Sequence, residues 1–167
     1  MKIKDMALCS LFAALLAICA WLSIPFGELS FSLQTFGIFL TLGLLGGKRG
    51  SVAIAIYLLL GAVGLPVFSG FRGGIGTLLG PTGGYLLGFL AMGIVYWAVP
   101  KKLMGMVAGL LVCYVSGTFW YWGFYLQSGG SGNLFVVLCT CVFPYLLPDL
   151  IKLALACVLT ARLKHHL

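Results

Sequence analysis

The apolar and polar positions divide the chain into long hydrophobic runs separated by short polar punctuation. The first run, Met6 to Ile24, has Lys2 and Lys4 before it and Pro25 after it. A signal peptide shares that basic start, but its apolar core is usually about 7 to 15 residues, so the length of this run favours a first transmembrane helix. Pro25 to Leu33 is a short connection that carries Glu28, which reads most simply as a solvated loop acid. A second run spans Gln34 to Gly47 and a third Ser51 to Gly64, with the basic turn GGKRG at Gly46 to Gly50 between them. Both are short for a span, which local bilayer thinning accommodates.

The fourth run follows a glycine-rich stretch, Gly64 to Gly88, whose clustered glycines and two prolines predict an irregular, tightly packed loop leading into a helix. Pro81 suits a first helical turn, so this span starts near Pro81 to Gly84 and continues to Val99, before Pro100, Lys101 and Lys102. Leu103 to Leu126 is the fifth run and ends in aromatic residues, as expected where a helix enters a membrane interface. After the loop QSGGSGN comes the sixth, Leu134 to Leu163, in which Pro144 and Pro148 predict a kink or break near the middle. With roughly 20 residues per helical span, these passes use almost the whole length. The predicted fold is an all-α integral membrane protein, a bundle of six transmembrane helices forming a single domain over residues 1–167.

Composition agrees: 62% of residues are hydrophobic and 8% charged, against about a quarter charged in soluble domains. The net charge of +7 does not indicate nucleic-acid binding, because the cations are scattered in ones and twos between apolar runs. On the six-span reading Lys2, Lys4, Lys48, Arg49, Lys101, Lys102, Arg162 and Lys164 share one side. The positive-inside rule makes that side, and both termini, cytoplasmic, and puts the glycine-rich stretch at the outer face. Six cysteines lie within apolar runs without a C-x-x-C pair or a nearby histidine, so they read as small packing residues and no metal site is expected. His165 and His166 sit in a polar tail and read as solvated. In the first run Ser10/Ala14 and Ala13/Ala17 are small-x-x-x-small pairs, suited to close helix approach either by a partner or within the protein's own bundle.

Two cations break the topology pattern, Arg72 in the outer loop and Lys152 inside the sixth run. Lys152 follows Asp149 by three residues, which places both on one helix face within the bilayer. Such residues are expensive in lipid and face a cavity or each other; mutual neutralisation is the alternative to a ligand or ion site. Pro148 adds weight to the site, since interrupted membrane helices expose backbone groups to substrate. Gln34 can donate and accept through its amide, or only tie a helix end to the loop. Arg72 can clamp an anion, or hold loop carbonyls or lipid headgroups. Tyr85 is a pocket wall with a polar tip or an interfacial anchor. GPTGGY lacks the Gly-Lys-Ser/Thr ending of a phosphate loop, and GGIGTLLG is no dinucleotide fingerprint, so no ATPase is visible. Ser116-Gly117 has the look of an intramembrane protease serine, but no histidine lies in any apolar run to serve as base. No catalytic constellation emerges, and no cofactor is implied.

Four segments together, SFSLQT at Ser30 to Thr35, GAVGLPVFSG at Gly61 to Gly70, GGIGTLLGPTGGYLLGF at Gly73 to Phe89 and PDLIK at Pro148 to Lys152, closely resemble the BioY family in the same order. That family comprises the biotin-binding S-components of energy-coupling-factor (ECF) vitamin transporters. The resemblance implies a six-helix bundle in a bacterial cell membrane with a biotin pocket near the outer face, energised by a transmembrane T-component and two ATPases. It also implies that Ala13 and Ala17 meet the T-component through the family's A-x-x-x-A pattern. Biotin offers two ureido N–H donors, a ureido oxygen, an apolar ring and chain, and a carboxylate. The expected contacts are Asp149 to the ureido N–H groups, Lys152 to a ureido or carboxylate oxygen, and Gln34, Arg72 and Tyr85 to the remaining polar atoms or to loop closure. The competing readings are an S-component for thiamine or riboflavin, an intramembrane enzyme, and a purely structural helix-packing subunit.

Overall fold

A computed structural model describes residues 2–26, 29–129 and 133–164; Glu28, His165 and His166 lie outside them. The first run becomes α1, Ile3–Trp21, with the backbone N–H of Lys2 donating to the Asp5 carboxylate at its start (3.3 Å). The connection expected after it is a β-hairpin, β1 (Ser23–Phe26) and β2 (Leu29–Ser32), antiparallel with Ile24 opposite Phe31. Only Pro25 hinted at a break here, and residues around it lack the clear period-2 pattern that marks a strand.

The next helix, α2 (Gln34–Ala62), contains both the second and third runs. At Gly46 its backbone turns to φ 77°, ψ 172°, a conformation suited to glycine, and the chain doubles back. Two contacts prove the reversal. A Cβ on Gly50 would lie 2.8 Å from the Leu42 side chain, and Gln34 bonds to Tyr57 at 2.7 Å, whereas residues 23 positions apart on a straight helix would be about 35 Å apart. The basic turn is strapped to the start of α1 by an Asp5–Arg49 ion pair (3.1 Å) and by Cys9 Sγ donating to the Arg49 carbonyl (3.5 Å). The basic turn and the Lys2–Lys4 end of the chain thus sit side by side.

The glycine-rich stretch is irregular to residue 82: a 3₁₀ turn at Ser69–Phe71, a one-turn α3 at Ile75–Leu78, then α4 at Gly83–Ala98. This helix packs along α5 (Lys102–Gln127) at a separation that side chains would forbid. Gly88 faces Ser116 and Cys113, and Gly109 faces Met92, each leaving no room for a Cβ. Small residues let backbones approach where no hydrophobic effect drives helices together. The hydroxyl of Ser116 donates to the carbonyls of Cys113 (3.1 Å) and Gly84 (3.5 Å), so it serves this seam.

The sixth run breaks into α6 (Leu134–Cys141) and α7 (Phe143–Leu163). The break falls at Val142 and not near the middle of the run, because Pro144 takes a first-turn position in α7 while Pro148 is absorbed inside it. Buried positions Tyr145, Asp149, Lys152, Leu153 and Ala156 form one stripe along α7. Among the cysteines, Cys9, Cys19, Cys113 and Cys141 are buried and Cys157 is half-buried, as packing residues should be, whereas Cys139 is exposed.

Candidate functional site

One cavity is lined by all five residues singled out from the sequence as ligand contacts: Gln34 at the start of α2, Arg72 in the outer loop, Tyr85 on α4, and Asp149 and Lys152 on α7. Ser32, Thr35, Ser69, Cys113, Tyr114, Cys141 and Tyr145 share the lining, with Phe68, Leu86, Phe89 and Leu110 supplying apolar wall. The helical repeat of α7 turns the charged pair inward; Asp149 is 3% exposed and Lys152 6%.

Both members of the pair are held by several bonds. Lys152 Nζ donates to Asp149 Oδ1 (2.8 Å), to the Ser32 carbonyl at the end of β2 (2.7 Å) and to Thr35 Oγ1 (3.1 Å). It also lies 4.3 Å from the centre of the Phe31 ring, within cation–π range. Asp149 Oδ1 accepts a second bond from Thr35 Oγ1 (2.8 Å), and Oδ2 accepts from Tyr114 Oη at 2.6 Å. A buried ion pair persists only when such bonds satisfy the remaining donors and lone pairs. A carboxylate has about four acceptor positions; three of Asp149's are occupied, so room for one N–H donor is left.

Gln34 and Tyr85 are held by the protein itself. Gln34 Nε2 donates to Tyr57 Oη (2.7 Å), which donates onward to the Val67 carbonyl (3.1 Å) and so links α2 to the outer loop. Tyr85 lays its ring on Gly117, where a Cβ would collide with it, and its hydroxyl reaches Thr118 Oγ1 (3.3 Å) and the Cys141 carbonyl (3.4 Å). It is therefore a wall of the cavity and not an anchor at the membrane interface. Arg72 is exposed at the cavity, and its guanidinium has no hydrogen-bond or ion-pair partner among the described residues.

Ala13 and Ala17 are 2% and 6% exposed and lie in the protein's own core, the packing within the bundle that their spacing equally allows. The reason is rotational: α1 turns Leu16, Ala13 and Ala17 inward, and the other small pair, Ser10 and Ala14, outward.

Sequence reasoning missed Thr35, Tyr114 and the Ser32 carbonyl. Thr35 sits beside Gln34 in SLQTF, on the helix turn that meets α7. Tyr114 carries a weak signal, falling with Thr118 and Tyr121 on the buried face of α5, but its partner is 35 positions away.

Comparison with known proteins follows the same lines. The BioY family matches residues 1–167. The biotin transporter BioY of Thermotoga maritima is 41% identical over 161 residues, covering 92% of each chain. The probable biotin transporter BioY of Pyrococcus horikoshii is 39% identical across 98% of both. The crystal structure of the S-component for biotin from an ECF-type ABC transporter aligns with a TM-score of 0.84 at 27% identity, over 98% of this chain and 92% of that one.

Proposed function

The chain belongs to the BioY family, and we propose that it is the biotin-binding membrane subunit, the S-component, of an ECF-type uptake transporter in the bacterial plasma membrane. Such subunits form a family of transporter components and not of enzymes. The observation that carries the reading is the buried, hydrogen-bonded Asp149–Lys152 pair at one end of a mostly apolar cavity that has Arg72 at its exposed end. Biotin has matching ends: a ureido ring that donates twice and accepts once, and a carboxylate, joined by apolar atoms. Few polar contacts in an apolar cavity suffice for such a ligand.

In this reading the ureido ring lies against α7. Asp149 Oδ2 accepts one ureido N–H in its remaining lone-pair position. Lys152 trades its bond to the Ser32 carbonyl for one to the ureido oxygen, since the backbone carbonyl can turn to water more readily than Asp149 can be given up. Tyr85 and Gln34 shape the walls, and Arg72 faces the carboxylate. The chain forms one domain that crosses the membrane six times with both termini in the cytoplasm, surrounded by lipid, and the T-component and two ATPases supply energy. The outward pair Ser10 and Ala14 on α1 offers the T-component a small-residue surface in place of Ala13 and Ala17.

The test is purification together with its membrane partners, supplied with labelled biotin at saturation. Biotin should copurify, and should raise the unfolding temperature of the isolated subunit where thiamine and riboflavin do not, because a ligand bound only to the folded form stabilises it. A folded preparation that retains no biotin overturns the reading.

A further inference from the structure

Phe71 is the non-glycine residue with positive φ among the described residues, at 57°. A bulky side chain rarely adopts this backbone, and it persists where the surroundings over-determine it. Here they do so from both sides. The Phe71 ring stacks on Trp21 at the end of α1, with centroids 5.3 Å apart and planes 24° from parallel. Trp21 is itself fixed, its Nε1 donating to the Pro66 carbonyl at 2.7 Å. On the other side the Phe68 N–H donates to the Arg72 carbonyl (2.9 Å), closing the turn, and the Phe68 ring is buried edge-on to Tyr57 at 5.6 Å.

The braced turn presents two polar side chains to the cavity, Ser69 and Arg72. Ser69 Oγ is buried without a hydrogen-bond partner among the described residues. Most other polar groups of the lining differ: Thr35, Tyr114, Asp149, Lys152, Gln34, Tyr85 and Thr77 each have a bond within the protein. A buried hydroxyl left unsatisfied is destabilising, and each one in a native protein requires an explanation. Beside an arginine whose guanidinium has no partner among the described residues, a shared oxyanion would account for it.

We propose that Ser69 donates a hydrogen bond to the ligand's carboxylate beside Arg72, and that the Trp21–Phe71 stack is the brace that positions the turn to do so. Ser69 is thus a binding residue and Phe71, through Trp21, a positioning one. The inference rests on the biotin reading, and its test separates the two.

The experiment titrates the full-length protein in detergent with biotin and with the analogue whose chain ends in methyl where biotin has its carboxylate. Ser69→Ala should weaken biotin by about tenfold, the usual loss for a hydrogen bond to a charged group, and leave the methyl analogue unchanged. Trp21→Ala should produce the same ligand-selective loss, and Trp21→Phe, which keeps a ring for stacking, should recover most of it. A merely structural role would weaken both ligands alike. Parent protein that binds neither ligand overturns the biotin reading, and this inference with it. Parent that binds both, with Ser69→Ala losing neither or losing both equally, overturns this inference alone.

Discussion

The two ends of the cavity treat charge in opposite ways. At the α7 end, Lys152 has three partners and Asp149 three donors. At the outer-loop end, Arg72 and Ser69 have none among the described residues. Burial accounts for the difference. Lys152 is 6% and Asp149 3% exposed, inside the protein where a charge without partners is strongly penalised. Arg72 is at the exposed mouth, where water satisfies a guanidinium until a ligand arrives. One end is therefore organised in advance and limited in capacity; the other is left open to an anion and held ready only by its backbone.

Cutting the organised end should do the most damage. Removing one member of a buried ion pair typically costs about 3–5 kcal/mol because the other is left uncompensated. Asp149→Asn or Lys152→Ala should lower stability on that scale and abolish biotin binding, measured by thermal unfolding with and without biotin. The double variant Asp149→Asn with Lys152→Met removes both charges and should recover much of the stability but none of the binding. Biotin bound by the double variant would reduce the pair to mutual neutralisation and leave the outer-loop end as the one that recognises charge.

The supporting bonds come next. Tyr114→Phe and Thr35→Val each delete a hydrogen bond to an ionised carboxylate, worth about 1.5–3 kcal/mol. Calorimetric titration should find biotin bound roughly ten- to a hundredfold more weakly. An unchanged affinity for Tyr114→Phe would mean that Lys152 alone orients Asp149.

These supporting residues also mark where the sequence stopped being legible. Asp149 and Lys152 were visible because a charge inside an apolar run is conspicuous and an i, i+3 spacing fixes a shared face. Arg72 stood out for the same reason, in a loop where the topology rule expects no cation. Tyr114 and Thr35 are unremarkable residues in their runs, and only the packing of α5 and α2 against α7 makes them partners of Asp149. The reversal at Gly46 was readable from GGKRG, whereas the hairpin of β1 and β2 was not, since two four-residue strands leave little pattern. The facing of α1 was not legible either. Two small pairs at the same spacing lie on different sides of one helix, and the spacing does not say which side is inward.

A smaller effect is expected between the two ends, where Tyr85 leans on Gly117. A Cβ there would run into the ring, and overpacking typically costs about 1–3 kcal/mol. Gly117→Ala should push Tyr85 towards the cavity and reduce biotin affinity more than Gly123→Ala, at a position on the same helix where a Cβ meets nothing. Parallel binding isotherms check this, and equal effects would show that Tyr85 has slack in its place as a wall.

The mildest change is expected at the open end. An exposed charge pair is usually worth about 1 kcal/mol or less, so Arg72→Ala should weaken biotin by no more than about tenfold. The sharper readout is chemical. A biotin amide should bind the parent less well than biotin does, and should bind Arg72→Ala about as well as biotin does. Salt supplies a second arm: the parent's preference for biotin over the amide should shrink as ionic strength rises, because screening acts at the solvated mouth and leaves the buried pair on α7 largely untouched. A preference that survives both the Arg72 substitution and high salt would place the carboxylate away from Arg72, and Lys152 would then be the cation that meets it, with a single end of the cavity recognising charge.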